Sequence, residues 1–268
     1  MSLISSKQIY YVDSHNRSSG THSDFSYALN LVGSYDSVVV LQASIPKSYY
    51  LVQAGRNTFT LSEGGTDVTV TLPVGTYSRS SFQQQLINSL NAASPNNWDY
   101  IITIPNVNVT ADTAKYTYQV QGNSSQPSFI IGDYLYEQLG FNDNTTYTFS
   151  SNLLESVNAV KFQLEDTLFI NSDIVAGEGD NVLQEVFTDG TSDYGKVSWV
   201  CPSIEAYSKP LSSTTNGIFH FWISDEDGNP IDLNGQNVVF TLMIYKKENV
   251  YSLIKNILKV ELLASLKQ

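Results

Sequence analysis

Short apolar runs, separated by polar or glycine-containing turns, recur along most of the chain. Two alternating runs, Thr58–Leu61 and Val68–Leu72, flank a turn at Glu63–Thr66 and predict a β-hairpin. Runs of this kind predict strands at residues 9–12, 38–45, 58–61, 68–72, 100–104, 116–120, 129–131, 159–164, 168–170, 182–187, 197–200, 218–223 and 238–245. About a dozen short strands at this spacing are typical of a β-sandwich or barrel.

Helical spacing of apolar residues occurs in one segment inside this β pattern. Phe82, Leu86 and Leu90 fall on one face of a helix that ends near Ala92 or Ala93, and Gln83 lies three residues after Ser80, which predicts a capping box. A helix of one or two turns is expected at residues 133–139, before Gly140. The chain is therefore predicted to be a single β-sandwich with one short inserted helix.

The last 23 residues differ from the rest in period and in charge. Their apolar residues follow three- and four-residue spacing and predict an amphipathic helix, whose exposed side carries several lysines. Residues 246–268 contain five Lys and two Glu, so this segment carries +3 and residues 1–245 carry −15. Two interpretations stay open. The helix could close one end of the chain's own core, or it could dock on a partner or an anionic surface, with Leu258 and Leu262 buried and Lys255 and Lys259 facing the charge.

Composition narrows the possible classes of protein. Hydrophobic residues make up 41% of the chain and charged residues 15%, which argues against disorder. The formal charge of −12 makes the surface as a whole a poor binder of nucleic acid. No apolar run approaches the length of a membrane span, and no secretory signal is recognised at the N-terminus, so we expect synthesis and folding in the cytosol.

Three regions are expected: an N-terminal strand and polar arm at 1–30, a sandwich domain at 31–245 and the basic helix at 246–268.

No group of residues in the sequence forms a catalytic or metal-binding signature. His15, His22 and His220 are too scattered for a metal site, and nothing beside Cys201 suggests an activating base. The acidic stretch Asp225–Pro230 lacks the ligand spacing of an EF-hand and is expected to be a turn. We therefore expect no enzymatic activity, no cofactor, no metal and no small-molecule substrate.

Three segments resemble the penton (capsid vertex) proteins of icosahedral DNA viruses whose major capsid proteins have two jelly rolls, notably virophages and polinton-like viruses. The first is Tyr11–Arg17 followed by Ser23–Phe25 and Tyr35–Pro46. The second is Val70–Ser78 with the short helix after it, and the third is Phe221–Gly228 with Ile231–Gly235 and Val239–Leu242. The matches sample residues 8 to 245, and the C-terminal tail matches no part of the pattern.

The resemblance implies a single jelly roll that forms a homopentamer at the five-fold vertices of a virion and contacts the major capsid protein. Such rings close through head-to-tail contacts. It also implies that the polar arm containing Asp13, Arg17, Asp24 and Phe25 faces the capsid interior or a neighbouring subunit. Arg17 could then pair with an acidic group, or it could be an exposed loop arginine. The C-terminal helix could reach a minor capsid protein, the genome or a membrane.

Two other classes of protein stay open on the sequence alone. One is a glycan-binding β-sandwich, such as a fibre head or a lectin-like attachment module, whose site would include exposed aromatic residues such as Trp98 and the Asn-rich loops. The other is a β-sandwich hydrolase, for which no motif names a catalytic residue.

Overall fold

The computed structural model describes residues 4–104, 112–162, 167–177, 181–187, 195–212, 217–247 and 254. It divides into two compact units. Residues 1–49 and 165–268 form the first, here called the jelly-roll unit, and residues 50–164 form the second, here called the inserted unit. The sequence predicted a single domain over 31–245 and did not indicate the inserted unit. The boundaries expected at residues 30 and 246 stay predictions.

Within the described residues the chain is built mainly of short β-strands. The strands in chain order are β1 (Ile4–Asp13), β2 (Ser19–Gly20), β3 (Asp24–Ala28), β4 (Ser37–Pro46), β5 (Thr58–Glu63), β6 (Thr66–Thr71), β7 (Asp99–Thr103), β8 (Thr117–Gln121), β9 (Ser128–Ile131), β10 (Thr145–Thr148), β11 (Leu153–Glu155), β12 (Thr167–Ser172), β13 (Val182–Phe187), β14 (Lys196–Val200), β15 (Lys209–Pro210), β16 (Ile218–Ser224) and β17 (Val239–Lys247). The helices are α1 (Arg79–Ala93), α2 (Tyr136–Leu139) and α3 (Ile204–Tyr207), with a 3₁₀ turn at Ser14–Asn16. This confirms the all-β fold class.

The jelly-roll unit contains two antiparallel sheets. Sheet A has the order β1-β17-β4-β14, with β15 also paired to β4, and sheet B has the order β13-β12-β16-β3-β2. When the eight longest strands of this unit are numbered in chain order, sheet A becomes 1-8-3-6 and sheet B becomes 2-7-4-5. This is the strand order of a jelly roll, in which two Greek keys fold over one another.

The core of the jelly-roll unit lies between these two sheets. Alternation along β17 and β16 directs Phe240 and Phe221 inward, and their rings meet edge to face with centroids 5.2 Å apart. Phe25 on β3 packs on Phe221 at 5.8 Å. On the face of sheet A that points toward sheet B, Val12, Leu242 and other aliphatic side chains are fully buried. Burial of this apolar surface holds the two sheets together.

A second, smaller apolar cluster lies on the outer face of sheet A. It consists of Val39, Met243 and Tyr245, all buried, with Leu41 and Cys201 packed against them. The Tyr245 hydroxyl bonds to Ser208 Oγ, just after α3. Part of the outer face is therefore covered by the segment between β14 and β15, in which Cys201 packs against this cluster.

The inserted unit has its own core. Sheet C has the order β10-β9-β5-β6 and sheet D the order β11-β8-β7, and α1 buries Phe82, Leu86 and Leu90 in the cluster they share. The hairpin predicted around Glu63–Thr66 is confirmed as β5 and β6. Because the inserted unit has a separate hydrophobic cluster, its stability can be considered separately from that of the jelly roll.

The cap of α1 differs from the prediction. Ser78, and not Ser80, is the N-cap, because its backbone is extended (φ −79°, ψ 164°) and its Oγ accepts from the Ser81 amide. The Ser81 hydroxyl in turn accepts from the Ser78 amide and completes the capping box. The helix therefore begins earlier than the apolar period alone indicated.

Two further sequence predictions concern the strand at 159–164 and the C-terminal helix. The strand expected at 159–164 is wrong for residues 159–162, because the amides of Val160 and Lys161 donate to Ala114 O and Glu137 O, not to a neighbouring strand. Positions 163 and 164, and the C-terminal helix apart from Ile254, lie outside the described residues. In the described part of the chain, no helix is long and apolar enough to cross a membrane.

Candidate interaction surfaces of the jelly-roll unit

The polar arm after β1 is folded onto its own backbone. Asp13 caps the 3₁₀ turn by accepting from the His15 amide at 2.9 Å. Arg17 donates through Nη1 to Ser14 O at 2.9 Å and through Nε to Gly20 O at 3.0 Å. Arg17 therefore fixes the course of the arm through main-chain carbonyls, and the acidic partner considered from the sequence is not among these bonds.

Asn237 ties the arm to the start of β17. Its Oδ1 accepts from the Ser14 hydroxyl at 3.3 Å and contacts His22 Nδ1 at 2.7 Å. The Ser14 amide donates to Val238 O, and the Val238 amide donates to Ser14 Oγ, each at 3.0 Å. The polar arm expected after the first strand is therefore ordered and joined to the start of β17.

Asp24 and Phe25, neighbours in sequence, have opposite environments. Asp24 Oδ1 lies 2.7 Å from His220 Nε2 at the surface, and the His220 ring stacks on Trp222. Phe25 is only 1% exposed and belongs to the core. The strand alternates, so Asp24 stays available to a partner while Phe25 does not, which corrects the expectation that Phe25 contacts one.

The two edges of sheet A carry unlike exposed apolar residues. On edge strand β1, Tyr11 is 73% exposed and Ile9 is also exposed. On the opposite edge strand, β14, Val200 is 73% exposed. The registers place Tyr11, Thr241, Gln42 and Val200 in one row across the four strands, so the two exposed side chains lie on the same face at opposite ends of one row.

A groove opens beside the β14 edge. It has a volume of about 400 Å³ and lies between β13, β14 and α3, where Phe187, Trp199 and Tyr207 form its apolar walls. Phe187 is 67% exposed, and Trp199 meets Tyr207 edge to face at 5.0 Å. This edge therefore presents a concave aromatic surface, whereas the β1 edge presents single projecting side chains.

Charge also differs between the two edges. Asp13, in the row Asp13–Val239–Ser44, lies at the end of β1. The same row ends on β14 at Ser198. Lys196, which is exposed on the same face, begins β14 two residues before Ser198. At similar positions along the strands, the two edges therefore carry opposite charges close to exposed apolar side chains.

The structure also bears on the acidic turn and on Trp98, which the sequence offered as possible binding sites. In the acidic turn, Asp225 Oδ1 accepts from the amides of Asp227 and Asn229, which closes the turn. Within the described residues, no group of three or more His, Cys, Asp or Glu side chains could hold a metal ion. Trp98 is 5% exposed in the core of the inserted unit, so it cannot form the exposed glycan platform considered above. Lys255, Leu258, Lys259 and Leu262 lie outside the described residues.

Sequence reasoning missed both apolar edges. Tyr11, Val200 and Phe187 were each included only as part of a predicted strand. Alternation identifies two faces of a strand but not which strand ends a sheet. Nothing in the sequence around Tyr11 and Val12 distinguishes an edge strand from a central strand of a sheet.

The fold described above defines an all-β protein with one jelly roll and a separate inserted unit. No family model matches the chain, and no curated protein matches it. Among solved structures, it is similar to the selenomethionine-labelled mavirus penton protein, with a TM-score of 0.45 and 10% sequence identity over 90% of this chain and 100% of that one. Similarity at this level does not by itself assign a function.

Proposed function

We propose that the chain is a structural capsid protein that forms the homopentameric penton at the five-fold vertices of a virion and contacts the surrounding major capsid protein. The three sequence segments that resemble pentons motivate this proposal. The jelly-roll order of sheets A and B is the architecture that the resemblance implied.

The observation that carries the proposal is the pair of unlike exposed edges on one sheet. A closed ring needs a heterologous contact, in which one patch of each copy meets a different patch of the next. Tyr11 on β1 and Val200 on β14 lie at opposite edges of sheet A and supply two such patches. A two-fold dimer would instead need one self-complementary patch.

Electron microscopy of purified particles tests the location directly. We expect density for this chain at the five-fold positions, enclosed by major capsid protein. Its absence from those positions in complete particles would contradict the proposal. Native mass spectrometry of the purified chain gives a second test, with a pentamer expected either alone or after the major capsid protein is added.

The proposal assigns no enzymatic step to the chain. Its acidic turn, His22 and His220 take part in bonds that shape the turn, the polar arm and the surface of sheet B. The glycan-binding alternative loses the exposed tryptophan on which it depended, because Trp98 is buried. No observation favours the hydrolase.

The basic C-terminal segment supplies a separate part of the proposal. Its sequence supports a contact with another component of the particle, such as a minor capsid protein, the genome or a membrane, through Leu258 and Leu262 with Lys255 and Lys259. A chain that ends at Lys247 tests this. If it still unfolds cooperatively but no longer joins particles, the segment is a docking element, whereas loss of cooperative unfolding would mean that it completes the core.

A further inference from the structure

We infer that the ring contact joins the β1 edge of one copy to the β14 edge of the next, with Tyr11 against Val200 and Asp13 near Lys196. This inference rests on the proposed function. It deepens that function by naming the surface and its occupant, which is a second copy of the same chain.

The strand registers give the first reason. Tyr11 pairs with Thr241, Thr241 with Gln42 and Gln42 with Val200, so one row of paired residues crosses sheet A from one edge to the other. Rotation about an axis that runs along the strands keeps each row at its own height. The β1 end of a row in one copy then meets the β14 end of the same row in the next copy.

Strand direction is compatible with this contact. Every neighbouring pair in sheet A is antiparallel, so β1 and β14, three places apart, run in opposite directions. Copies placed side by side therefore bring antiparallel edges together, which is the commoner arrangement of adjacent strands. The contact would also add a neighbour to two strands that lie at the edges of sheet A.

Apolar exposure gives the second reason. Tyr11 and Val200 are each 73% exposed, and an alternating strand in a monomer would normally place polar residues at such positions. Phe187 and the groove extend the apolar area on the receiving edge. Tyrosine suits a partly wet contact, because its ring buries area while its hydroxyl stays hydrogen-bonded.

Charge complementarity gives the third reason. With Tyr11 of one copy opposite Val200 of the next, Asp13 lies opposite Ser198, and Lys196 lies two residues further along β14 on the same face. Alternate residues of a strand are about 7 Å apart, a distance that a lysine side chain spans. Opposite charges at matched levels favour this register over a shifted one.

Cysteine cross-linking of the full chain tests the pairing. In a Cys201→Ala background, we expect Tyr11→Cys with Val200→Cys to give disulfide-linked oligomers up to five under mild oxidation. Val157→Cys with Val200→Cys is the matched control, because Val157 is 45% exposed but belongs to the inserted unit. This control should give no ladder.

Complementary substitutions give a second readout. Tyr11→Lys and Val200→Asp should each weaken the pentamer at least about tenfold in dissociation constant, whereas the double variant should recover most of that loss. Neither residue is buried, so the fold should be retained, and circular dichroism checks this.

The outcomes separate the two levels of the proposal. Native pentamers that do not cross-link through Tyr11 and Val200, or that cross-link equally through Val157, would overturn the assigned contact and leave the penton proposal standing. Failure to find pentamers in solution or in particles would overturn both.

Discussion

Glu63, at the end of β5, is fully buried (0% exposed), and its carboxyl group accepts hydrogen bonds from three donors. Tyr100 Oη donates to Oε1 at 2.7 Å, while Ser94 Oγ and the Asn96 amide donate to Oε2 at 3.0 and 3.2 Å. Burial, reinforced by the bond to Glu63, raises the pKa of the Tyr100 hydroxyl far above its usual range, so this hydroxyl stays a donor. These bonds join the β5–β6 hairpin to the end of α1 and to β7.

Tyr100→Phe should therefore destabilise the inserted unit markedly. The substitution keeps the ring in the core but leaves Oε1 of Glu63 buried without this donor. A hydrogen bond contributes about 0.5–1.5 kcal/mol net, and an acceptor left buried without its donor costs about 1–3 kcal/mol, so we expect a loss of about 2–3 kcal/mol. That corresponds to a change of about 30- to 150-fold in the opening equilibrium.

Hydrogen exchange of the full chain, followed by mass spectrometry on peptides that cover β5, β6 and β7, measures this change. Tyr77→Phe is the matched control, because its hydroxyl bonds to Pro73 O at the surface, and its effect should stay below about 0.5 kcal/mol. A double-mutant cycle with Glu63→Gln should show coupling of about 1 kcal/mol or more. The reasoning would be refuted if Tyr100→Phe and Tyr77→Phe lowered protection equally.

Three further changes test packing and backbone geometry, each by urea denaturation. Leu86→Ala, on the buried face of α1, should lower the free energy of unfolding by about 2–5 kcal/mol, and a loss near zero would mean that α1 is not packed as described. Gly140→Ala should destabilise more than Gly122→Ala. Both glycines have a positive φ (77° and 74°), but only at Gly140 would a Cβ overlap its neighbours, and equal losses would contradict this. Ser78→Ala should cost about 1 kcal/mol and Ser80→Ala less, whereas the reverse order would restore the cap predicted from the sequence.

Much of the strand content was predictable, because alternation reflects local burial. The segment Ala159–Leu164 shows where this signal fails. Val160 and Phe162 pack against the core of the inserted unit, so they have the alternation of a half-buried strand. Their segment nevertheless bonds to a loop and to α2. Alternation therefore predicts which side chains are buried but not which backbone groups pair.

The inserted unit and the edges of sheet A were not predictable for a related reason. The β texture is similar on both sides of Tyr50 and Leu164, so the sequence gives no local sign that two cores form. Likewise, β1 and β14 become edges only through pairings between distant strands, such as Ile4–Asp13 with Val239–Lys247.

The chain order of sheet A links completion of folding to assembly. β17 is the last described strand, yet it lies between β1 and β4, so sheet A cannot close until nearly the whole chain is available. Before β17 is in place, β1 has no partner, and the row that joins Tyr11 to Val200 does not exist. Pairings over such sequence separations form slowly. The row that we propose for the ring contact therefore exists only once β17 has paired, which would restrict assembly to copies in which β17 has joined sheet A.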